Sequence, residues 1–154
     1  TTKANIHYHF GTKEDLGKAL IFKTKGLMKE AIANFQSRNT IDLLKHYISF
    51  FEQSIDGNLV CLCGMLLAED DGLPPQLRGA NQDLADWQLN WLEHVLSSGR
   101  DIAEIAFDGT PREQANFVYS TIQGAHIVAK VRKDRLSFSE AMRHLLSRLE
   151  PHGI

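Results

Sequence analysis

An all-helical fold is predicted by three observations. Apolar residues recur at helical spacing in one stretch after another, as in Leu44, Tyr47, Ile48, Phe51 and Ile55, the period that keeps one face of a helix dry. Helix start signals stand at the heads of these stretches: Thr12 with Asp15, Pro74-Pro75, Thr110-Pro111-Arg112-Glu113 and Ser137-Phe138-Ser139-Glu140. No stretch reads as a strand in preference to a helix, and no repeat or low-complexity segment interrupts the pattern. The reading is a bundle of about seven helices.

The first element is short. Ala4, Asn5, Ile6, His7 and Tyr8 suit a helix that Gly11 can stop in a left-handed conformation. Thr12 then caps a long helix from Lys13 to Gln36, with Leu16, Leu20, Leu27, Ala31 and Phe35 at helical spacing. Ser37-Arg38-Asn39 breaks it, and Thr40 is placed as the cap of a helix from Ile41 to Ile55. Leu43 and Phe50 widen that helix's apolar face, so it belongs inside the body. Leu59 to Ala68 is nearly all apolar and small, and in this helical company it is read as a short buried helix. Glu69-Asp70-Asp71-Gly72 is an acidic loop. The next helix opens at Pro74-Pro75, carries Trp87 and Trp91 one turn apart, and is expected to end at Ser98 with Gly99 closing it. A connection over residues 100–109 holds Ile102, Ile105 and Phe107. Two capped helices follow, Pro111 to Arg132 and a last one started by Ser137.

Composition bounds the function. A chain of 154 residues supports one domain with a real core, and 43% apolar with 23% charged residues is ordinary for a globular protein. No apolar run approaches the ~20 residues that span a bilayer, and no export leader is present, so the cytoplasm is expected. Cys61 and Cys63 lie too close for a structural staple. The net charge of −2 is uneven: residues 1–30 carry six Lys against Glu14, Asp15 and Glu30, leaving the remainder acidic. A basic end on an acidic body suits contact with a polyanion. Phosphate-cradling, nucleophile-elbow and zinc-protease motifs are all missing, so no catalytic residue, cofactor or metal ligand is nominated and an enzyme is not expected.

Residues Thr2 to Leu16 fill the pattern S/T-K-x-x-I/L-Y/H-Y-H-F-x-S/T-K-E-x-L. That pattern resembles the recognition-helix end of the TetR family of bacterial transcriptional repressors. The resemblance implies a TetR-like helical bundle, with residues 1–16 as the remnant of a helix-turn-helix head and 17–154 as an effector-binding and dimerisation domain. The family's first two helices, and most of the third, would precede Thr1. Lys3, Ala4 and Asn5 would then face base edges, and Thr2, His7, Tyr8, His9 and Lys13 would hold phosphates. The side-chain chemistry agrees: Asn pairs with adenine, Lys with guanine, and a helix N-terminus attracts phosphate.

The family pairs its final two helices across a two-fold axis, which assigns Val118, Ile122, Ala125, Ala129, Met142, Leu145 and Leu149 to a homodimer interface. For any one of these, packing within the chain is an equal reading. Tyr47, Phe50, Phe51, Trp87, Trp91, Phe117 and His126 are the candidate lining of a pocket for a small-molecule effector, with ordinary core packing as the alternative. Cys61, with Lys130 as a nearby cation, is a candidate sensor thiol against the simpler reading of two buried thiols. The segments Cys61–Glu69 and Gly124–Arg132 are similar to those of a TetR branch that senses electrophiles or oxidants. The function expected is a ligand- or redox-responsive repressor that binds operator DNA as a homodimer. The alternative is a helical ligand-carrier or protein-interaction module with no DNA role.

Overall fold

The computed structural model describes residues 10–36, 39–56 and 72–151. Within them are five helices and no strand: α1 (Lys13–Asn34), α2 (Thr40–Asp56), α3 (Pro75–Asp101), α4 (Pro111–Arg132) and α5 (Arg135–Ser147). The expected helix at 59–68 lies outside the described residues.

Helix α1 starts where the sequence places it. Thr12 Oγ1 accepts from the Asp15 amide at 3.1 Å, and Asp15 Oδ2 accepts from the Thr12 hydroxyl at 2.8 Å. The buried side of α1 differs from the expected stripe. Ile21 and Met28 are buried, whereas Leu20 and Leu27 are 43% and 56% exposed. The reason is the docking of α1 on α3. Leu77 sits over Gly17, where a Cβ would come within 3.0 Å of its Cδ1, and this turns Ile21 inward onto Leu77 and Leu84.

Helix α2 is capped by Asn39, whose Oδ1 accepts from the Ile41 amide at 2.8 Å and the Asp42 amide at 3.3 Å. The expected cap, Thr40, is instead the first helical residue. Its amide and hydroxyl both donate to Glu104 Oε2 at 2.7 Å. Those two bonds, the hydroxyl's first, hold the Glu104 carboxyl below the usual carboxylate range. Gly99 does not close α3, which runs two residues further. It is glycine because α2 begins against it: a Cβ there would lie 2.5 Å from Thr40 Oγ1.

The capping box of α4 is complete, with Thr110 Oγ1 accepting from the Glu113 amide and Glu113 Oε2 accepting from the Thr110 amide. Lys133, at φ 54°, stops α4 in the left-handed conformation. The last helix starts two residues before Ser137, because the Asp134 side chain accepts from the Ser137 amide. The nearer acidic cap takes the place of the serine box read from the sequence.

α3, α4, α2 and α5 share one apolar core, with Leu44, Phe51, Leu92, Leu96, Ile122 and Phe138 among its buried members, and α1 reaches it through Met28. Each fully buried side chain of this size contributes roughly 1.5–3 kcal/mol. Val118, Ile122, Ala129, Met142, Leu145 and Leu149 are all buried in it, and Ala125 packs against it. The residues assigned to a dimer interface therefore fill the chain's own interior. The helical stripe was real, but its partner is intramolecular. No helix among the described residues is long and apolar enough to cross a membrane.

Candidate effector site

The inner face of α4 carries a polar line through an apolar body. Tyr119, Gln123, His126 and Lys130 fall at i, i+4, i+7 and i+11, which puts them on one helical stripe. Tyr119, Gln123 and His126 are buried, and His126 has no exposed surface.

Aromatic rings surround His126. Phe51 meets it edge-on with centroids 6.2 Å apart, and Phe138 does so at 6.3 Å. Tyr47 lies beyond, against Phe51 at 5.3 Å and Trp91 at 5.0 Å. The Tyr47 hydroxyl donates to Gln88 Oε1 at 2.8 Å, and Gln88 Nε2 donates to the Leu84 carbonyl at 3.4 Å.

Ser54, near the end of α2, is the hydrogen-bond partner of His126. Its hydroxyl oxygen lies 2.7 Å from the Phe51 carbonyl and 2.6 Å from His126 Nε2. Ser54 has one proton for these two acceptors: with it on the Phe51 carbonyl, Nε2 carries the imidazole hydrogen and Nδ1 presents a lone pair; with it on Nε2, Nδ1 carries the hydrogen. Burial pushes the His126 pKa below its ordinary value, and the Lys130 ammonium lowers it further. Lys130 Nζ reaches the Ser54 carbonyl at 3.5 Å. Three polar atoms here have no hydrogen-bond partner among the described residues: Gln123 Nε2, Gln123 Oε1 and His126 Nδ1.

Of the seven candidate pocket residues, Tyr47, Phe51, Trp91 and His126 come together. Phe50 stands aside against His46, with ring centroids 5.3 Å apart. Trp87 faces the α1 side, with Lys29 over its ring at 5.6 Å. Phe117 does not belong to the group. It is 51% exposed, on the outer face of α4 with Ile127, Val128 and Val131. Sequence reading missed Ser54, Gln88 and Gln123. The signal for Gln123 was available, since it stands one helical turn before His126 on the same stripe. Ser54 and Gln88 have no comparable signal. Lys13 is exposed at the first position of α1. Thr2, Lys3, Ala4, Asn5, His7, Tyr8, His9 and Cys61 lie outside the described residues.

A groove of about 520 Å³ opens between α2 and α5, with Ile48, Phe138, Met142 and Leu146 on its apolar side and Lys45, Glu52, Arg143 and Glu150 among its charged residues. Phe138 belongs both to this groove and to the ring contacts of His126. No cluster of metal-ligating side chains occurs among the described residues.

A family described as the tetracyclin repressor-like C-terminal domain matches residues 39–145. The chain belongs to the TetR family of transcriptional regulators. Its TetR-type fold matches a TetR-family regulator from Agrobacterium tumefaciens with a TM-score of 0.88 and 26% identity, over 97% of this chain and 81% of that one. It is also similar to the HTH-type transcriptional repressor NemR of Escherichia coli K12, 22% identical over 149 residues, 93% of this chain and 75% of the relative. The reduced form of E. coli NemR superposes with a TM-score of 0.77 at 23% identity, over 99% of this chain and 83% of that one. FadR of Bacillus subtilis, solved in complex with stearoyl-CoA, shares the fold with a TM-score of 0.68 at 18% identity, over 98% of this chain and 82% of that one.

Proposed function

We propose that residues 17–154 are the effector-binding and dimerisation domain of a ligand-responsive transcriptional repressor, and that residues 1–16 end its DNA-reading head. The observation that carries this reading is the buried group around His126 in a chain of this family. An interior lined by rings, with polar atoms still unpaired, is what a pocket for a small molecule requires. The effector binds there and favours one arrangement of the body. α1 passes that preference to the head, where Lys3, Ala4 and Asn5 read bases and Thr2, His7, Tyr8, His9 and Lys13 hold phosphates. Coupling of this kind is typically about 1–3 kcal/mol, and it requires that the effector prefer one arrangement over the other.

Two heads on one duplex need a dimer with recognition helices roughly 34 Å apart or a multiple of it. The surface that supports a two-fold partner is the outer face of α4, with Phe117, Ile127, Val128 and Val131, continued by Leu136 of α5. Gly124 lies on the same face with no atom of the described residues within 4 Å of its Cβ position, so a second helix can approach closely there. Exposed apolar side chains gathered on one helix face suit contact with a second copy. The protein acts in the cytoplasm, where the operator is.

Titrating the full-length protein into operator fragments tests this reading. Specific binding that weakens steeply with salt supports the repressor. Indifference to sequence favours a ligand carrier without a DNA role.

A redox or electrophile input is a second reading of the same domain. It is supported by Lys130, whose ammonium reaches the Ser54 carbonyl seven residues before Cys61. A cation near a thiol favours the reactive thiolate. Iodoacetamide should then alkylate Cys61 faster than a free thiol near neutral pH, and Cys61→Ser should lose the response to electrophiles. A normal response in Cys61→Ser ends this reading.

A further inference from the structure

Gln123 is buried with both ends of its amide unpaired among the described residues, and His126, one turn along, buries an Nδ1 likewise unpaired. Burying a hydrogen-bonding group without a partner carries the full cost of its desolvation. Folded chains seldom keep such a group unless water or a ligand meets it. Here three unpaired atoms sit within one turn of a single helix, where side chains at i and i+3 are neighbours. The chain supplies satisfied alternatives nearby: Gln88 uses both its ends, on Tyr47 and on the Leu84 carbonyl.

The kinds of atom define the missing partner. Gln123 offers a donor in Nε2 and an acceptor in Oε1. His126 Nδ1 is an acceptor when Ser54 accepts from Nε2 and a donor when Ser54 donates to it. A carboxylate matches poorly in either state, since it has no hydrogen for Gln123 Oε1. An ester or tertiary amide has none either. A primary carboxamide fits both states: its oxygen accepts from Gln123 Nε2, and from Nδ1 when that is a donor, and its two N–H groups donate to Gln123 Oε1, and to Nδ1 when that is an acceptor. The surrounding rings of Phe51, Phe138 and Tyr47 suit an aromatic or apolar body on the same molecule. Space lies close by, because the groove between α2 and α5 reaches Phe138.

We propose that Gln123 and His126 are the polar anchor of the effector site and that they recognise an uncharged primary carboxamide on an aromatic or apolar molecule. This rests on the effector-binding reading and gives the effector a chemical class.

Calorimetric titration of the whole chain with benzamide, N,N-dimethylbenzamide and benzoate tests it. Benzamide should bind saturably, and the other two at least tenfold more weakly. Gln123→Leu keeps the volume and removes the unpaired amide, so it should fold at least as well while binding benzamide at least tenfold more weakly. His126→Asn, which keeps a polar group but moves the hydrogen-bonding atoms, should also weaken benzamide. Equal binding of the three probes, no binding of benzamide, or full benzamide affinity in Gln123→Leu would overturn the proposal. So would a crystal structure soaked in benzamide that shows only water on the three atoms. Absence of any sequence-specific operator binding by the full-length protein, with benzamide affinity intact, would instead count against the repressor reading alone.

Discussion

Helix α3 has two sides, and they are joined to the rest of the molecule by different physics. Toward α4 it contributes Leu92, Val95 and Leu96 to a core that also takes in α2 and α5. Toward α1 it offers a small cluster, Ile21 against Leu77 and Leu84. Lysines complete that second seam: Lys18 donates to Gln76, Lys25 donates to the Asp83 carbonyl at 3.2 Å, and Lys29 lies over Trp87. Interdigitated apolar side chains resist sliding because every displacement opens a void. Exposed lysines on long stems re-form equivalent contacts after a shift, and each is worth little. The contrast suits a body that stays rigid beneath a connecting helix whose first half is able to move, since Met28 anchors its second half in the large core.

Substitutions on the two sides should separate them. Phe138→Ala, deep in the large core, should lose about 3–5 kcal/mol, read as a lower midpoint in chemical unfolding of the whole chain. Leu77→Ala should cost about 2 kcal/mol, the low end of the range for buried leucines. Its amide exchange should speed up along α1 while α4 stays protected. If both substitutions accelerate exchange everywhere, the two sides are one cooperative unit and the contrast is wrong. Gly99→Ala drives a methyl into Thr40 and should lose about 1–3 kcal/mol, whereas Gly26→Ala, with open space around its Cβ position, should gain about 0.5–1 kcal/mol. The gain from Gly26 should appear in the exchange rates of α1 only.

The smallest effect is a dependence on pH. The folded chain holds His126 below its ordinary pKa, so under mildly acidic conditions the unfolded chain binds a proton that the folded chain does not. Stability therefore falls as pH drops through about 6.5, and it levels off once the folded imidazole is also protonated. His126→Gln should flatten unfolding midpoints measured across this window. A slope unchanged by that substitution would mean that another group carries it.

Much of this was legible from residue order alone. The start of α4 follows from Thr110-Pro111-Arg112-Glu113, and its bounds are as read, because cap, proline and reciprocal glutamate are all local. The apolar face of α2 was equally plain, since a helix buried on most sides has few places for a polar residue. What failed depended on contacts far along the chain. Gly99 reads as a helix stop until Thr40, from another helix, is seen against it. Thr40 reads as a cap until Glu104 claims both its donors. The stripe on α1 misled because leucine outranks glycine in any apolar pattern, yet the docking surface needed the glycine. The stripes on α4 and α5 were correct in phase but could not name what they touch. In the effector site the rings stood out while the amide of Gln123 did not, because an unpaired atom is a property of the folded environment.

The turn around Leu149 has a bearing on where the protein can be shortened. The amide of Ala106 donates to the carbonyl of Leu149 at 2.9 Å, which pins the strap between α3 and α4 to residues beyond the family match. Ile105 and Leu149, on either side of that bond, are both sealed from water. Trimming the protein back to Leu145 would strand the Ala106 amide, uncover Ile105 and loosen Glu104, the carboxylate that holds the front of α2. A loss at the tail would thus be felt at the start of α2, far earlier in the sequence.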